Sequence, residues 1–299
     1  MRILVLGSTG YLGAHVAARL RALPGALVLG AGRSPGADHE VDLATVRAEE
    51  LAGTLALAAP DAVVNCAGAT GGDAVTLAEV NARGPAVLCA ALREAAPGAR
   101  LVHLGSAAEY GPGVAGSPAT ESGPTCPVGP YGATKLAGTA VVTASGLDAV
   151  VLRVGNPVGP GAPPAGLPGR LAGLLREAGR DPDAVLRLGD LSAHRDFVDV
   201  RDVARAAELA VTAPGPLPRI LNIGAGRAVP VRELVLGLAS QAGFRGRVEE
   251  STGGGRSVRS GEVSWQCSAI AAAEQALGWR PAHTLDEALA ALWEGDGTP

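Results

Sequence analysis

RILVLGSTGYLG, residues 2–13, is the part of the sequence that indicates the fold class most clearly. A short apolar run ends at Gly7, and Gly10 and Gly13 follow at the start of an amphipathic stretch. A strand, a glycine turn and a helix in this order let backbone N–H groups approach a pyrophosphate at the positive end of the helix. The stretch therefore predicts a βα unit that binds a dinucleotide.

Short apolar runs alternate with amphipathic stretches through the first half of the chain. The alternation predicts βαβ units and an α/β, doubly wound parallel sheet (Rossmann fold) with helices on both faces. Dense Gly and Pro at 159–169 predict a departure from the sheet into a smaller C-terminal α/β substrate lobe. We expect residues 1–154 and 195–224 to form the dinucleotide-binding domain, and residues 155–194 and 225–299 to form the substrate-binding lobe.

The composition of the 299 residues narrows the classes of partner. The net charge of −4 offers no broad basic face to nucleic acid or to an anionic membrane. No apolar stretch has the length of a membrane span, and the N-terminus predicts a strand rather than a signal peptide. The four cysteines and five histidines lack the spacing of metal ligands, so we expect free thiols, no metal site and a cytoplasmic protein.

The end of the expected second strand, ALVLGAG, bears on which dinucleotide is bound. An NAD-binding fold usually has an acidic residue there, which binds the ribose hydroxyls. This strand instead runs into Arg33 and Ser34. A cation and a hydroxyl suit a 2′-phosphate, so the sequence favours NADP, with NAD as the alternative.

The segment PYGATK, residues 130–135, contains the only lysine of the chain, Lys135. If Tyr131 starts a helix, Lys135 lies one turn further along the same face. An ammonium beside a phenol lowers the pKa of the phenol from about 10 toward neutral pH. A compact ammonium also differs from the planar guanidinium that the chain uses at every other cationic position. The pair therefore predicts a site of proton transfer.

These motifs occur in an order that resembles the extended short-chain dehydrogenase/reductases, the NAD-dependent epimerase/dehydratase group acting on nucleotide sugars. The resemblance covers nearly the whole chain and includes NCAG at 65–68, GSAAEYG at 105–111, RVGNPVGPG at 153–161, HRDFVDVRDVA at 194–204 and RSVRSGEV at 256–263. Together with Arg33 and Ser34, it implies that the cofactor is bound by Gly7, Thr9, Gly10, Tyr11, Leu12, Gly13, Asp42, Leu43, Ala67, Gly68, Asn81, Tyr131 and Lys135.

The resemblance also implies a hydride transfer at a sugar carbon of a nucleotide-diphosphate sugar. Ser106 would hydrogen-bond the substrate oxygen, Tyr131 would transfer the proton, and Lys135 would hold the ribose and tune Tyr131. The diphosphate of the substrate would be bound by Asn156, Arg195 and Arg259.

Departures from the family pattern reduce the number of reactions that the chain could catalyse. Sugar 4,6-dehydratases carry Asp-Glu after the catalytic Ser or Thr, where this chain has Ala107 and Ala108. The fucose-synthase branch carries a cysteine two residues before the tyrosine, and that position is again Ala108. GSAAEYG resembles the GDP-4-keto-6-deoxymannose reductase branch and similar deoxysugar 4-ketoreductases. We therefore expect an NADPH-dependent 4-ketoreductase of an activated 4-keto-6-deoxy sugar.

Two other functions remain open at this point. A nucleotide-sugar 4-epimerase that retains NAD would use the same Ser106, Tyr131 and Lys135, whereas a non-catalytic NADP-sensing protein would not need them.

The helices expected at 76–95 and 130–145 have few charges on any face, which predicts burial against the sheet or a partner. The resemblance implies that this partner is a second copy of the chain in a homodimer.

Overall fold

The computed structural model describes residues 1–250 and 263–295. Its strands are β1 (Arg2–Leu6), β2 (Leu27–Gly32), β3 (His39–Glu40), β4 (Ala62–Asn65), β5 (Arg100–Ser106), β6 (Ala149–Val154), β7 (Asn156–Val158), β8 (Val185–Leu188), β9 (His194–Asp199), β10 (Ile220–Ile223), β11 (Ala228–Pro230) and β12 (Arg247–Glu250).

The α-helices are α1 (Tyr11–Arg21), α2 (Ala48–Ala58), α3 (Ala74–Ala78), α4 (Gly84–Ala95), α5 (Pro130–Thr143), α6 (Leu167–Ala178), α7 (Val200–Thr212), α8 (Val231–Gln241), α9 (Ala271–Leu277) and α10 (Leu285–Glu294). A π-helical turn, Glu79–Arg83, joins α3 to α4, and a 3₁₀ turn, Ala107–Glu109, follows β5. None of the helices in the described ranges has the length and hydropathy needed to cross a membrane.

The central sheet has seven parallel strands in the order β10-β6-β5-β4-β1-β2-β3. Most of its strand residues are buried, as expected of a parallel sheet that helices cover on both faces. The order of the strands reverses between β1 and β4, so the loops after these two strands open a crevice at the carboxyl edge. The predicted doubly wound α/β fold is confirmed.

Alternation along β1 contributes to both halves of the main core. Ile3 and Val5 belong to the apolar cluster with α1 and α7, whereas Leu4 and Leu6 belong to the cluster with α2, α4 and α5. Each of these four side chains is at most 1% exposed. Because burying one such side chain stabilises a fold by roughly 1.5–3 kcal/mol, β1 is a rigid support for the loop that begins at Gly7.

A smaller lobe lies beside the central sheet. Strands β11, β9 and β7 form a three-stranded sheet, and β12 pairs with β8. Helices α6, α8 and α10 pack with these strands around an apolar cluster that includes Leu171, Leu234 and Leu289.

The chain crosses between the lobes at positions that differ from the expected boundaries. We expected 195–224 in the dinucleotide-binding domain, but β9 pairs with β7 and β11 of the smaller lobe. Helix α7 packs against the central sheet, and β10 is one of its strands. We expected 225–299 in the substrate-binding lobe, but Trp279 is fully buried in the core of the central sheet, where its indole N–H donates to the carbonyl of Asp202 at 3.0 Å.

Candidate active site

Gly7 turns the chain between β1 and α1. Its φ is +73°, and a Cβ at this position would lie 2.8 Å from the backbone nitrogen of Ala67. Both facts exclude a side chain without rearrangement. The Gly7 N–H also donates to the carbonyl of Ala31 at 2.7 Å. At Gly7 the loop after β1 therefore contacts the loop after β4 and the end of β2 through backbone atoms.

Gly10 and Gly13 bring the first turn of α1 against this loop. The Gly10 N–H donates to the Gly7 carbonyl at 3.0 Å, and a Cβ on Gly13 would stand 1.9 Å from the same oxygen. Gly10 precedes the helix and supplies no side-chain cap. A helix N-terminus without a side-chain cap presents backbone donors and partial positive charge, which suits a pyrophosphate. These residues fit a dinucleotide cofactor.

The side chains of this turn face different parts of the molecule. Thr9 Oγ1 lies 3.0 Å from Ser34 Oγ at the end of β2. The Tyr11 hydroxyl donates to the carbonyl of Gly159 at 3.4 Å, and burial raises the pKa of Tyr11 above its usual range. Leu12 packs against the apolar core. Tyr11 therefore connects α1 to the loop after β7, and Leu12 supports the sheet.

An open depression lies beside the end of β2, where Arg33 and Ser34 follow the strand. It is lined by Arg33, Glu40, Val41, Asp42, Thr45, Val46 and Glu50. Arg33 is exposed, so its guanidinium can meet a ribose phosphate in this depression. Asp42 Oδ1 accepts the N–H of Ala44 at 3.0 Å. Leu43 is only 5% exposed and packs in the core, so its contribution to this region is structural.

Asn81 lies in the π-helical turn and holds the loop after β4. Its Oδ1 accepts the N–H of Ala69 at 2.9 Å, and its Nδ2 donates to the Ala69 carbonyl at 2.9 Å and to Thr134 Oγ1 at 3.3 Å. A Cβ on Gly68 would lie 3.4 Å from Asn81 Oδ1 and 3.9 Å from Lys135 Nζ. Asn81 therefore joins this loop to α5 close to Lys135.

Lys135 extends inward from α5 to the end of β5. It is 5% exposed, and its Nζ donates to the carbonyl of Leu104 at 2.6 Å. Burial lowers the pKa of Lys135 to about 8, while the carboxylate of Glu109 opposes this shift. A buried ammonium that is shielded from water favours the phenolate form of a neighbouring phenol. Tyr131 lies one turn earlier on the same helix.

Ser106 is the last residue of β5 and is 8% exposed. Its Oγ accepts the N–H of Ala108 at 3.2 Å, which leaves the hydroxyl proton to be donated to another group. Helix α5 packs on the same turn, since a Cβ on Gly132 would lie 2.6 Å from the Ala108 carbonyl oxygen. The fold thus brings the elements that carry Ser106, Tyr131 and Lys135 together at the carboxyl edge of the sheet.

Sequence reasoning assigned no role to Glu109, which the structure places behind Ser106. Its Oε1 accepts the Ser106 N–H at 2.8 Å and the Thr139 hydroxyl at 2.9 Å, and its Oε2 lies 2.7 Å from Arg153 Nε. Ser106 and Glu109 form a capping box around the 3₁₀ turn. The S-x-x-E spacing is a sequence signal for that contact, whereas Thr139 and Arg153 come from distant parts of the chain.

Two of the three residues expected at the substrate diphosphate lie on neighbouring strands of the smaller sheet. Asn156 begins β7 and donates through Nδ2 to the Asp196 carbonyl at 3.2 Å. Arg195, on β9, is 6% exposed and donates through Nη1 to the His194 carbonyl at 2.8 Å. Arg259 lies outside the described residues.

Residues that could bind a metal do not cluster in the described ranges: no group of three or more His, Cys, Asp or Glu could hold an ion there. Cys66, Cys89, Cys126 and Cys267 are free thiols.

A dinucleotide cradle that shares its sheet edge with a tyrosine–lysine pair is the arrangement of an NAD(P)-dependent oxidoreductase. The model of the NAD dependent epimerase/dehydratase family matches residues 3–224, and the chain belongs to this family. The prediction of an NAD(P)-dependent enzyme of the extended short-chain dehydrogenase/reductase type is therefore confirmed.

Relatives match the chain over its whole length. The dTDP-6-deoxy-L-talose 4-dehydrogenase (NAD(P)(+)) of Kitasatospora kifunensis is 38% identical over 314 residues, which cover 99% of this chain and 96% of the relative. The structure of RMD from Pseudomonas aeruginosa complexed with NADPH matches with a TM-score of 0.83 and 26% identity, over 98% of this chain and 97% of that one. The UDP-glucose 4-epimerase of Thermus thermophilus in complex with NAD matches with a TM-score of 0.81 and 28% identity, over 98% of each chain. The likeness thus extends to both lobes.

Proposed function

We propose that this chain is an NADPH-dependent 4-ketoreductase of a nucleotide-activated 4-keto-6-deoxy sugar, with Tyr131 as the proton donor. The observation that carries the proposal is the composition of the turn after β5. Ala107 and Ala108 have no group that could exchange a proton, and Glu109 is fully buried against Arg153. This turn presents one hydroxyl and no accessible carboxylate, which supports ketone reduction and offers no base for loss of water.

Each member of the proposed catalytic group has one role. When bound, the nicotinamide supplies the hydride. Ser106 donates a hydrogen bond from its hydroxyl to the substrate oxygen, because accepting the Ala108 N–H leaves the hydroxyl proton available. Tyr131 transfers a proton to the same oxygen, and the Lys135 ammonium stabilises the phenolate that remains.

The choice of NADPH rests on the end of β2. The exposed guanidinium of Arg33 and the hydroxyl of Ser34 suit a 2′-phosphate, and Arg33 lines the same depression as Asp42. The complex of the Pseudomonas relative with NADPH supports this choice. NAD is the alternative, and the Kitasatospora relative is named for both cofactors.

The substrate class rests on the smaller lobe and on a relative. Asn156 and Arg195 lie on adjacent strands, and a guanidinium binds phosphate oxygens in a two-pronged geometry. The Kitasatospora relative is named for oxidation at C4 of a dTDP-6-deoxy sugar, which is the reverse of the proposed reduction. We propose a nucleotide-diphosphate sugar on this basis, with Arg259 as a second diphosphate ligand.

A nucleotide-sugar 4-epimerase is the second candidate. The Thermus relative is a UDP-glucose 4-epimerase in complex with NAD. An epimerase would oxidise and then reduce the same carbon with the same Ser106, Tyr131 and Lys135, so it would consume no cofactor.

Cofactor consumption separates the two candidates. Purified protein is titrated with NADPH and NADH, and then receives dTDP- or GDP-linked 4-keto-6-deoxyhexose while the absorbance of the reduced nicotinamide is followed. Net oxidation of NADPH, with much weaker oxidation of NADH, is the expected result. No net oxidation, together with NAD that co-purifies and interconversion of 4-hydroxy sugar nucleotides, would overturn the reductase and favour the epimerase.

We also propose a cytoplasmic homodimer. The four free thiols suit a reducing compartment. Alanines on the outer face of α5 are exposed, which supports close approach of a second copy along this helix.

A further inference from the structure

Glu109 is a buried carboxylate that the proposed reaction does not use. It is 0% exposed and contacts three different elements of the site. It binds the end of β5 through the Ser106 N–H, helix α5 through the Thr139 hydroxyl, and β6 through Arg153. A buried carboxylate that receives this many donors is held in one position, because each alternative position would leave a donor unpaired.

The Thr139 contact fixes the helix that carries the proton donor. Thr139 lies one turn beyond Lys135, and both side chains face inward, with 2% and 5% exposure. Glu109 Oε1 accepts hydrogen bonds from both Thr139 and Ser106, at 2.9 Å and 2.8 Å. A single oxygen atom therefore sets the spacing between the strand end that presents Ser106 and the helix that presents Tyr131.

Glu109 also brings a negative charge close to Lys135, because its Oε1 accepts the hydroxyl of Thr139, one helical turn beyond Lys135. The other titratable groups that act on Lys135 from the neighbouring elements are Cys66 and His103. Burial raises the pKa of Cys66 to about 12 and lowers the pKa of His103 well below its usual range, so both are neutral near pH 7. Glu109 is itself faced by Arg153 from β6. Among these groups, only Glu109 favours the ammonium at neutral pH.

We propose that Glu109 is a positioning residue of the reaction, which sets the geometry between Ser106 and the Tyr131 helix and holds Lys135 in its ammonium form. The first of these roles rests on the proposed function, whereas the second can be tested without a substrate.

Lys135 is the only lysine of the chain, so its charge state can be read directly. Protein labelled with ¹³C-lysine gives one lysine Cε resonance, whose shift with pH reports the titration of this amine. The midpoint expected for the unaltered protein is about 8. Glu109→Gln keeps a hydrogen-bonding side chain of the same size but removes the charge, so its midpoint falls by about one pH unit.

Thr139→Val is the matched control for the charge. It removes one hydrogen bond to Glu109 and leaves the carboxylate in place, so the Lys135 midpoint stays at the wild-type value. A Glu109→Gln midpoint equal to that of the unaltered protein would overturn the electrostatic role.

Glu109→Gln leaves Arg153 buried without a counter-charge, and such a change can prevent folding. The double variant Glu109→Gln/Arg153→Met removes both charges and avoids the unpaired cation. Its Lys135 midpoint is again expected below the wild-type value, and an unchanged midpoint overturns the electrostatic role. Circular dichroism on each sample verifies that the protein is folded.

Glu109→Asp tests whether Glu109 sets the spacing between Ser106 and the helix that carries Tyr131. It keeps the charge but withdraws the carboxylate by one methylene, so Ser106 and Thr139 can no longer share its oxygen. We expect kcat for the 4-keto sugar to fall about tenfold or more, with an unchanged dissociation constant for NADPH and a Lys135 midpoint that stays near the wild-type value. Wild-type kcat in Glu109→Asp would overturn the positioning role. If the unaltered protein reduces no 4-keto sugar, the proposed function fails, and the lysine titration still decides the electrostatic role.

Discussion

Gly132, in the first turn of α5, lies so close to Ala108 that a Cβ on Gly132 would stand 2.6 Å from the Ala108 carbonyl oxygen. This contact sets the distance between the helix of Tyr131 and the turn that follows Ser106. Gly132→Ala must push the two backbones apart, and overpacking of this kind costs about 1–3 kcal/mol. We expect kcat to fall about 100-fold, because misplacement by about 1 Å has effects of that size. Steady-state kinetics and thermal unfolding measure both effects.

Gly173 on α6 provides the control, since an added Cβ there meets nothing within 4 Å. Gly173→Ala should leave kcat unchanged and raise the free energy of unfolding by about 0.5–1 kcal/mol. Wild-type kcat in Gly132→Ala would contradict a role for this contact in catalysis.

The buried charge of Lys135 should lower the free energy of unfolding of the protein near neutral pH. Burial lowers its pKa to about 8, from the ordinary 10.5. Between these two values the unfolded chain binds more protons than the folded one, so the free energy of unfolding rises with pH. Below pH 8 the full penalty applies, about 3 kcal/mol. Lys135→Met removes this penalty. It also loses the hydrogen bond to Leu104, which reduces the gain in the free energy of unfolding by about 1 kcal/mol.

Lys135→Met should therefore be more stable than the unaltered protein at pH 7, lose this advantage by about pH 10.5, and have no activity. Denaturant unfolding at several pH values measures the difference. Lys135→Arg keeps the buried cation, so it should lose activity without any gain in stability. A Lys135→Met protein that is less stable at pH 7 would show that the buried charge carries no penalty.

The parts of the site that could be predicted are local in sequence. Gly7 to Gly13 act within one βα unit, and Tyr131 and Lys135 lie one turn apart on one helix. The partners of β9 could not be predicted, because an apolar strand pattern does not say which neighbouring strand it will pair with. The contacts of Glu109 with Thr139 and Arg153 join residues 30 and 44 positions away, and the S-x-x-E spacing predicts only the contact with Ser106.

Arg33 should discriminate between the two cofactors. Arg33→Ser removes a cation that would contact the 2′-phosphate, so the dissociation constant for NADPH should rise about tenfold to 100-fold. The dissociation constant for NADH should stay unchanged. Added salt should reduce the difference between Arg33→Ser and the unaltered protein in the dissociation constant for NADPH. Fluorescence titration with each cofactor measures these constants.

Arg187→Ser on β8 is the matched control, since the Arg187 side chain is 76% exposed on the smaller lobe. It should change neither dissociation constant. Equal weakening of NADPH and NADH in Arg33→Ser would place the guanidinium away from the 2′-phosphate.

Asp196 should make stability depend on pH in the slightly acidic range. Burial raises its pKa to about 6, from the ordinary 3.8, although the carboxylate accepts the N–H groups of Ala225, Gly226 and Ser268. Between these pKa values the folded chain binds more protons than the unfolded one. The contribution of Asp196 to the free energy of unfolding should therefore fall by about 3 kcal/mol as pH rises from 4 to 7.

Asp196→Asn isolates the pH-dependent contribution of Asp196 to the free energy of unfolding, because the amide does not titrate. The free energy of unfolding of Asp196→Asn minus that of the unaltered protein should increase between pH 4 and pH 7, whatever its value at pH 4. A difference that is constant over this range would contradict the raised pKa of Asp196.

The outer face of α5 predicts how two copies would meet. Ala133, Ala137 and Ala140 are exposed along one side of the helix, where their small side chains allow a second helix to approach closely. Ala137→Glu would place a charge in the middle of this line, which a buried interface does not tolerate without a partner charge. Sedimentation velocity should therefore give a dimer for the unaltered protein and a monomer for Ala137→Glu. Leu236→Glu on α8, at a side chain 53% exposed in the smaller lobe, should leave the dimer intact. An unaltered protein that sediments as a monomer at all concentrations would exclude the homodimer.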